Sequence, residues 1–212
     1  MELIGWILAF VIAITFHEAA HAWMADRLGD PTARLMGRLS LNPIVHYDPV
    51  GTSLLLILVV MRIMGLPVMP FGWAKPVMVD PYNLRNPRRD SALVSLAGPG
   101  ANLLLAIIGA IILRVFPIIA LAKILIPTIL LCVVLAIFNL IPIHPLDGGK
   151  IFIGILPESE AKEAEIFLSR YGILILFLLI FPTFGGVSPI SLFMSPVINF
   201  ILNLLLPGNT FV

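Results

Sequence analysis

Long runs of apolar residues dominate the chain and define its candidate membrane-spanning segments. A helix that crosses a bilayer needs about 20 mostly apolar residues, and this template matches residues 3–25, 92–113 and 124–143. The tail from 171 to 212 carries no charge and is long enough for two more spans, separated by PTFGGVSP at 182–189. The pattern therefore predicts five membrane-spanning helices.

A shorter apolar run, TSLLLILVVMRIMGLP at 52–67, carries Arg62 and ends in Gly-Leu-Pro, so by itself it could span, re-enter or lie in the interface. Polar segments with many turn signals flank it, and GWAKPVMV at 72–79 could be an edge strand. We therefore expect an all-α polytopic membrane protein of five to six transmembrane helices. It would include a re-entrant segment and room for a small β element before the span that opens with LAGPGAN.

The composition agrees with a membrane protein and excludes several other classes. The chain is 59% hydrophobic and only 12% charged, against roughly 25% charged residues in ordinary globular domains. Its formal charge is +1, and no basic cluster is interleaved with aromatic residues, so we expect no nucleic-acid partner. No linker is long enough to separate a soluble domain. Residues 1–212 are expected to form one membrane-embedded domain, with the first apolar run retained as a span rather than removed as a signal peptide.

Three ionisable side chains stand near the end of the first apolar run, in ITFHEAAHAWMA at 14–25. On a helix, residues four apart lie on one face about 5–6 Å apart, so His17 and His21 can bind a single Zn²⁺. Glu18 projects beside them, placed to take a proton from a water molecule. Because ionisable groups inside a span cost about 2.5 kcal/mol or more each, a helix that merely ends early in polar residues is the less favoured interpretation.

A catalytic zinc usually has three protein ligands and one open position, so a third ligand must come from elsewhere in the chain. The best candidate is Asp147 in FNLIPIHPLDGGKIF, because it follows the 124–143 span and the next two residues, both glycine, permit close backbone approach. His144 is the competitor. An Asp-Gly-Gly sequence after a helix is also an ordinary turn, but together with HEAAH it predicts one zinc ion per chain.

Three motifs, in this combination and order, resemble the site-2 protease family of intramembrane zinc metalloproteases. They are HEAAH in one span, LAGPGAN opening another, and NLIPIHPLDGG closing a third. The resemblance implies that His17, His21 and Asp147 bind zinc and that Glu18 is the catalytic base. It also implies hydrolysis of peptide bonds in or near the transmembrane segment of single-span membrane-protein substrates. The compact chain leaves no room for the PDZ domain or CBS pair of some family members.

The resemblance extends to other positions. It places Asn139 and Pro142 near the substrate, and it includes a small-xxx-Asn-xxx-small pattern formed by Gly98, Asn102 and Ala106. His144 departs from the family pattern, because an apolar residue or a proline is expected there. It remains a candidate for the substrate cleft or for support of the metal ligands. His46, in NPIVHYDPVG, could play a similar or a pH-responsive role, although a single histidine in a turn-rich loop is more often merely solvated.

Other functional classes fit less well. A membrane metal transporter could use His17, His21 and Asp147 as a transit site, but its pathway would place ionisable groups along several spans, and the other long spans here have almost none. A different membrane zinc protease, such as a prenyl-protein protease, typically takes its third ligand from Glu, and the acidic cluster Glu158–Glu165 lacks a deep helical setting. A di-iron oxygenase needs several His boxes, and the 4 histidines are too few.

A shared zinc site constrains the topology. If the 52–67 run crossed the membrane once, Asp147 would emerge on the face opposite His21, and one zinc could not bind both. Re-entry instead puts all of the 13 basic residues except Arg114 and Lys123 on one face, which is the positive-inside pattern. We therefore expect a multi-pass protein of the cell membrane whose active site opens toward the cytoplasm and whose N-terminus lies outside.

Overall fold

A computed structural model describes residues 2–64, 72–181 and 187–206 of the chain. Across these ranges the secondary structure is helical, with short 3₁₀ turns at Pro43–His46 and Pro81–Asn83. The helices are α1 (Glu2–Arg27), α2 (Thr32–Leu35), α3 (Pro49–Ile63), α4 (Pro87–Val115), α5 (Ile119–Asn139), α6 (Asp147–Ile155), α7 (Glu158–Ile180) and α8 (Pro189–Leu205). The all-α prediction is confirmed for this part of the chain.

Within the described residues, three helices are long and apolar enough to cross a membrane, namely Ile4–Arg27 within α1, together with α4 and α5. They correspond to the three predicted spans at 3–25, 92–113 and 124–143. The three pack against one another around a core of mainly small and branched residues: Ala13, Ala106, Ala110, Ala122, Ile129, Cys132 and Val133. Small side chains allow helix backbones to approach closely inside a bilayer, so this core brings α1 and α4 near enough to share a site.

The carboxyl-terminal part differs from the predicted arrangement. The predicted spans begin at residue 171, but α7 begins in the acidic sequence PESEAKEAE and runs without a break from Glu158 into the apolar residues up to Ile180. Ala, Glu and Lys are strong helix formers, and no Pro interrupts this stretch. α8 has 17 residues, and residues 182–186 and 207–212 of the predicted final spans lie outside the described ranges. Five or six spans therefore remain a prediction.

The small β element is not found among the described residues. Residues 72–80 form neither a helix nor a strand, and their described amide hydrogen bonds go to side chains and a loop carbonyl. The amide of Lys75 donates to the His46 carbonyl at 2.9 Å, and the amide of Val77 donates to Glu18 Oε2 at 3.0 Å. Pro76 has no amide hydrogen to offer to a ladder. The edge-strand prediction is therefore wrong for residues 72–79.

α3 occupies most of the run whose topology the sequence left open. It has 15 residues and is about 22 Å long at 1.5 Å per residue, which is shorter than the roughly 30 Å hydrocarbon core. Residues 65–67 of this run lie outside the described ranges. Re-entry remains a prediction, but both flanks of the segment meet at one end of the bundle, because Asp30 contacts Asp80 and Asn83.

Asp30 connects the end of α1 to the segment that precedes α4. Its side chain is fully buried, with an exposed fraction of 0%. It accepts hydrogen bonds from the amide of Thr32 at 3.0 Å, the amide of Asp80 at 2.8 Å and Asn83 Nδ2 at 2.9 Å. This carboxylate therefore fixes one end of the segment at 72–80, which also contacts Glu18.

We predict that Asp30 makes stability depend on pH. Burial by itself raises the pKa of this carboxyl, but hydrogen bonds from Thr32, Asn83 and the Asp80 amide outweigh burial and hold the pKa below its ordinary value. Its stabilisation is therefore complete above the unfolded-state pKa of about 3.9 and is lost as the pH falls toward the folded-state pKa. Asp30→Asn should lower the free energy of unfolding at neutral pH by about 2 kcal/mol, since hydrogen bonds to charged groups contribute roughly 1.5–3 kcal/mol.

Unfolding of the purified protein in detergent micelles, followed between neutral and acidic pH, measures both effects. Asp26→Asn is the matched control, because Asp26 pairs at 3.3 Å with Arg34, whose side chain is 60% exposed. Exposed ion pairs contribute about 0–1 kcal/mol. Equal losses of stability in the two variants would contradict the role assigned to Asp30.

Candidate metal centre

Three potential metal ligands from two helices meet in the interior of the bundle. His17 and His21 lie one turn apart on α1, and Asp147 is the first residue of α6. The two imidazole Nε2 atoms are 3.0 Å apart, and Asp147 Oδ2 lies 3.2 Å from His17 Nε2 and 3.3 Å from His21 Nε2. Within the described ranges, this is the one group of three such side chains close enough to hold a metal ion.

The spacing and chemistry of this group fit zinc. Ligand atoms at about 2.0–2.1 Å from a tetrahedral zinc lie roughly 3.3 Å from one another, and the distances between these donor atoms are close to that value. Two imidazoles and one carboxylate form a set that Zn²⁺ accepts in catalytic sites. Both histidines are buried. Because isolated charges are costly in the interior, binding of a metal ion would also account for the position of these side chains.

The outer nitrogen of each imidazole has a partner on α4. His21 Nδ1 donates to the Val94 carbonyl at 2.7 Å. Since a carbonyl can only accept, the hydrogen sits on Nδ1 and the lone pair of Nε2 is free for a metal. His17 Nδ1 lies 3.2 Å from the side-chain amide of Asn102, whose Oδ1 is buried with no other partner in the described structure. A half-turn of this amide would let Oδ1 accept from His17 Nδ1, which would fix the matching tautomer.

Gly98 allows α4 to lie directly behind the two imidazole rings. A Cβ atom at this position would collide with His21 Nε2 and would lie 2.7 Å from His17 Cε1. Gly100, on the other side of Pro99, faces open space. Sequence reasoning included Gly98 only through the family pattern and missed Val94 entirely. Every residue has a carbonyl, so no sequence signal could have identified the one that holds His21.

The glycines after Asp147 have the close approach that the sequence predicted. A Cβ on Gly148 would collide with the carbonyl oxygens of Leu140 and Ile141, and one on Gly149 would lie 2.9 Å from the His144 amide nitrogen. The chain therefore folds tightly back after α5 and begins α6 with Asp147 directed at the histidines. A side chain at either glycine would push this carboxylate away from them.

Glu18 lies outside the three-ligand group. Its Oε2 accepts the hydrogen bond from the Val77 amide at 3.0 Å, and its side chain is only half-buried. One carboxylate oxygen is therefore held by the segment at 72–80, and no described hydrogen bond engages the other. Glu18 follows His17 directly along α1, so it stands beside the metal ligands without belonging to their set.

The remaining candidates from the sequence are not part of the metal group. Asn139 Nδ2 donates to the Leu135 carbonyl of its own helix at 3.0 Å, and Pro142 is exposed in the loop after α5. The backbone of His144 packs against Gly172 of α7. His46 is buried, with 1% exposure, and its Nε2 donates to the Ser40 carbonyl at 2.8 Å. The expectation that His46 is merely solvated is wrong, because the 3₁₀ turn carries it into the packed interior.

Comparison with known proteins agrees with this geometry. Residues 5–118 and 117–179 match the family model of Peptidase family M50. The chain belongs to this family. The resemblance to site-2 proteases is thereby confirmed, and the family together with the long apolar helices indicates a membrane protein. No solved structure matches it.

Two relatives of this M50 chain bear names that begin "Putative zinc metalloprotease". YwhC of Bacillus subtilis (strain 168) is 36% identical over 190 residues, which cover 84% of this chain and 80% of YwhC. Rip2 of Mycolicibacterium smegmatis is 31% identical over 185 residues, which cover 85% of this chain and 66% of Rip2. The family and these names imply zinc, the metal that the donor set also fits.

We predict that Gly98→Ala weakens zinc binding by about 10- to 100-fold, the range found when support of metal ligands is disturbed. The added methyl group must displace the imidazoles of His17 and His21. Gly100→Ala, the matched control two residues along the same helix, should keep its zinc. Elemental analysis of the purified variants and titration with a competing chelator measure the difference. Equal zinc affinities in both variants would contradict the contact between α4 and the histidines.

Proposed function

We propose that this protein is an intramembrane-cleaving zinc metalloendopeptidase with one zinc per chain. It would hydrolyse a peptide bond in or near the transmembrane segment of a single-span membrane protein. The observation that carries the proposal is the meeting of His17, His21 and Asp147 inside a bundle of apolar helices, with the Glu18 carboxylate beside them. A buried site with three protein ligands and an adjacent base suits hydrolysis.

The roles follow from the donor chemistry. His17, His21 and Asp147 would hold the ion, which when bound supplies Lewis acidity that activates water and polarises a peptide carbonyl. Glu18 would accept the proton of the attacking water and pass it to the leaving amine. The Val77 amide holds Oε2 of Glu18, so Oε1 is the oxygen proposed to receive the proton. Asn102 would position His17, and Asn139, Pro142 and His144 would line the path of the substrate to Asp147.

Water must reach a site of this kind. His21 lies six residues before Arg27, the last residue of α1, which is about 9 Å along the axis at 1.5 Å per residue. Arg27 and the polar contacts of Asp30 mark the end of the helix that faces an aqueous phase. The proposed centre therefore lies within the apolar bundle but close to one membrane face, where a polar cleft can supply water.

The competing functions have weaker support. A transporter would need further ligand sites along its pathway, and within the described ranges no second group of three metal-binding side chains occurs. A zinc protease with a Glu as third ligand would draw it from Glu158–Glu165. These residues lie at the start of α7 and are not among the groups near the histidines.

We expect Glu18→Gln to separate metal binding from catalysis. The variant should retain its zinc, because Glu18 is not in the ligand group, and it should lose about 100-fold or more of its proteolytic rate, the usual contribution of a general base. Glu163→Gln, on the exposed face of α7, is the control for the same change elsewhere. Zinc content and cleavage of single-span reporter proteins are measured on the same samples. Loss of both zinc and cleavage in a folded Glu18→Gln protein would make Glu18 a ligand instead.

We also propose that the site opens toward the cytoplasm of a multi-pass cell-membrane protein. In a Cys132→Ala background, cysteines at Leu35, Asn86 and Glu160 should react only with reagent added on the cytoplasmic side, since these exposed positions lie on the basic face. A cysteine at Ile118, between α4 and α5, should react only from the opposite side. Labelling of position 86 from outside would contradict both the orientation and the re-entry of the 52–67 run.

A further inference from the structure

The backbone of His144 packs tightly against glycines of two helices. His144 lies in the loop 140–146, which joins α5 to α6 and ends directly before Asp147. A Cβ atom on Gly149 of α6 would lie 2.9 Å from the His144 amide nitrogen. A Cβ atom on Gly172 of α7 would collide with the His144 carbonyl oxygen and would lie 3.1 Å from its carbonyl carbon. The loop therefore contacts α6 and α7 at positions where neither helix has a side chain.

Gly172 lies on the face of α7 that packs against the rest of the protein. Its neighbours Tyr171 and Ile173 are 40% and 61% exposed, whereas Gly172 and Leu168, four residues earlier, are buried. Residues four apart share one face of a helix. Glycine is less favourable than alanine inside a helix, so Gly172 does not stabilise α7 by itself. What it provides is close approach to the loop, because it has no Cβ atom.

A displacement of His144 is passed on to Asp147. The two residues are three positions apart, and hydrogen bonds connect the turn between them. The Leu146 amide donates to the Ile143 carbonyl at 2.9 Å, and the Gly149 amide donates to the Leu146 carbonyl at 3.1 Å. Because a backbone oxygen cannot rotate away as a side chain can, a methyl group on α7 at this contact must shift the loop. Metal–ligand distances tolerate deviations of only about 0.2 Å, so even a small shift of the carboxylate weakens metal binding.

We propose that Gly172 is a positioning residue for Asp147, the third ligand of the candidate metal centre. The inference rests on the zinc-binding part of the proposed function and extends it to α7, which contributes none of the three ligands. Two helices thus support the centre without contributing a ligand side chain. α4 lies behind His17 and His21, and α7 holds the loop that presents Asp147.

Zinc affinity of the purified full chain in detergent micelles tests the contact. Gly172→Ala should bind zinc about 10- to 100-fold more weakly than the wild type, the range found when support of a metal ligand is lost. Ile173→Ala is the matched control, because this neighbouring side chain on α7 is 61% exposed, and it should keep the wild-type affinity. Titration with a competing chelator measures all three proteins. An unchanged affinity in Gly172→Ala would overturn the proposal.

A double-mutant cycle separates positioning of Asp147 from a general loss of packing. Asp147→Ala removes the carboxylate, so adding Gly172→Ala should cause no further fall in zinc affinity. Gly98→Ala, which displaces the histidines instead, should lower the affinity further in the same background, and this fall shows that the residual binding is still measurable. An equal fall on adding Gly172→Ala to the wild type and to Asp147→Ala would mean that the substitution acts on the whole fold, and the proposal would be wrong.

Hydrogen exchange of the wild type tests the same coupling without a substitution at Gly172, and it decides the matter if Gly172→Ala does not fold. Coupling between two sites is reciprocal, so zinc bound to Asp147 should slow exchange of the α7 amides at 169–175 several-fold relative to chelator-treated protein. The α8 amides at 193–200 should not change, and Asp147→Ala should show no zinc effect in α7. Exchange in α7 that is independent of zinc in the wild type would overturn the proposal.

The outcome for the proposed reaction is distinguishable from the outcome for Gly172. Cleavage of single-span reporter proteins is recorded on the same wild-type preparations. If the wild type binds zinc and the cycle gives the expected result, but no reporter is cut, the proteolytic function fails and the role of Gly172 stands. A folded wild type that does not bind zinc would overturn the metal centre and the role of Gly172 together.

Discussion

The need to compensate ionisable side chains inside an apolar helix governs this structure. His17, Glu18 and His21 interrupt a helix that is otherwise suited to hydrocarbon, where each such group is costly without a partner. The chain brings Asp147 to the two imidazoles from a different helix, at 3.2 and 3.3 Å. A shared metal ion would satisfy His17, His21 and Asp147 at once. The relative positions of α1, α5 and α6 are those that bring Asp147 to the two imidazoles.

α4 provides the support for that centre. It crosses directly behind the imidazoles because Gly98 has no side chain, and it places the Val94 carbonyl and the Asn102 amide against their outer nitrogens. These contacts leave Nε2 of His21 free for a metal and fix the direction of the ring. The LAGPGAN motif therefore belongs to the candidate metal centre, although it contributes no side chain to the three-ligand group.

The segment between α1 and α4 contacts Glu18, beside the candidate metal centre. Asp30 anchors the segment at one end. The His46 carbonyl accepts a hydrogen bond from the Lys75 amide, and Glu18 accepts one from the Val77 amide. One segment thus contacts both the proposed base and the loop that contains His46.

The sequence by itself determined the three long spans, the pairing of His17 with His21 and the candidacy of Asp147. These features depend on length, on local helical periodicity and on residue chemistry, all of which are readable along one chain. Only the tertiary structure decided which carbonyl holds His21, why Gly98 must be small, that His46 is buried, and that residues 72–79 bond to Glu18 instead of forming a strand. Each of these depends on groups far apart in sequence, such as Val94 and His21. The periodicity of one segment gives no information about which backbone packs against it.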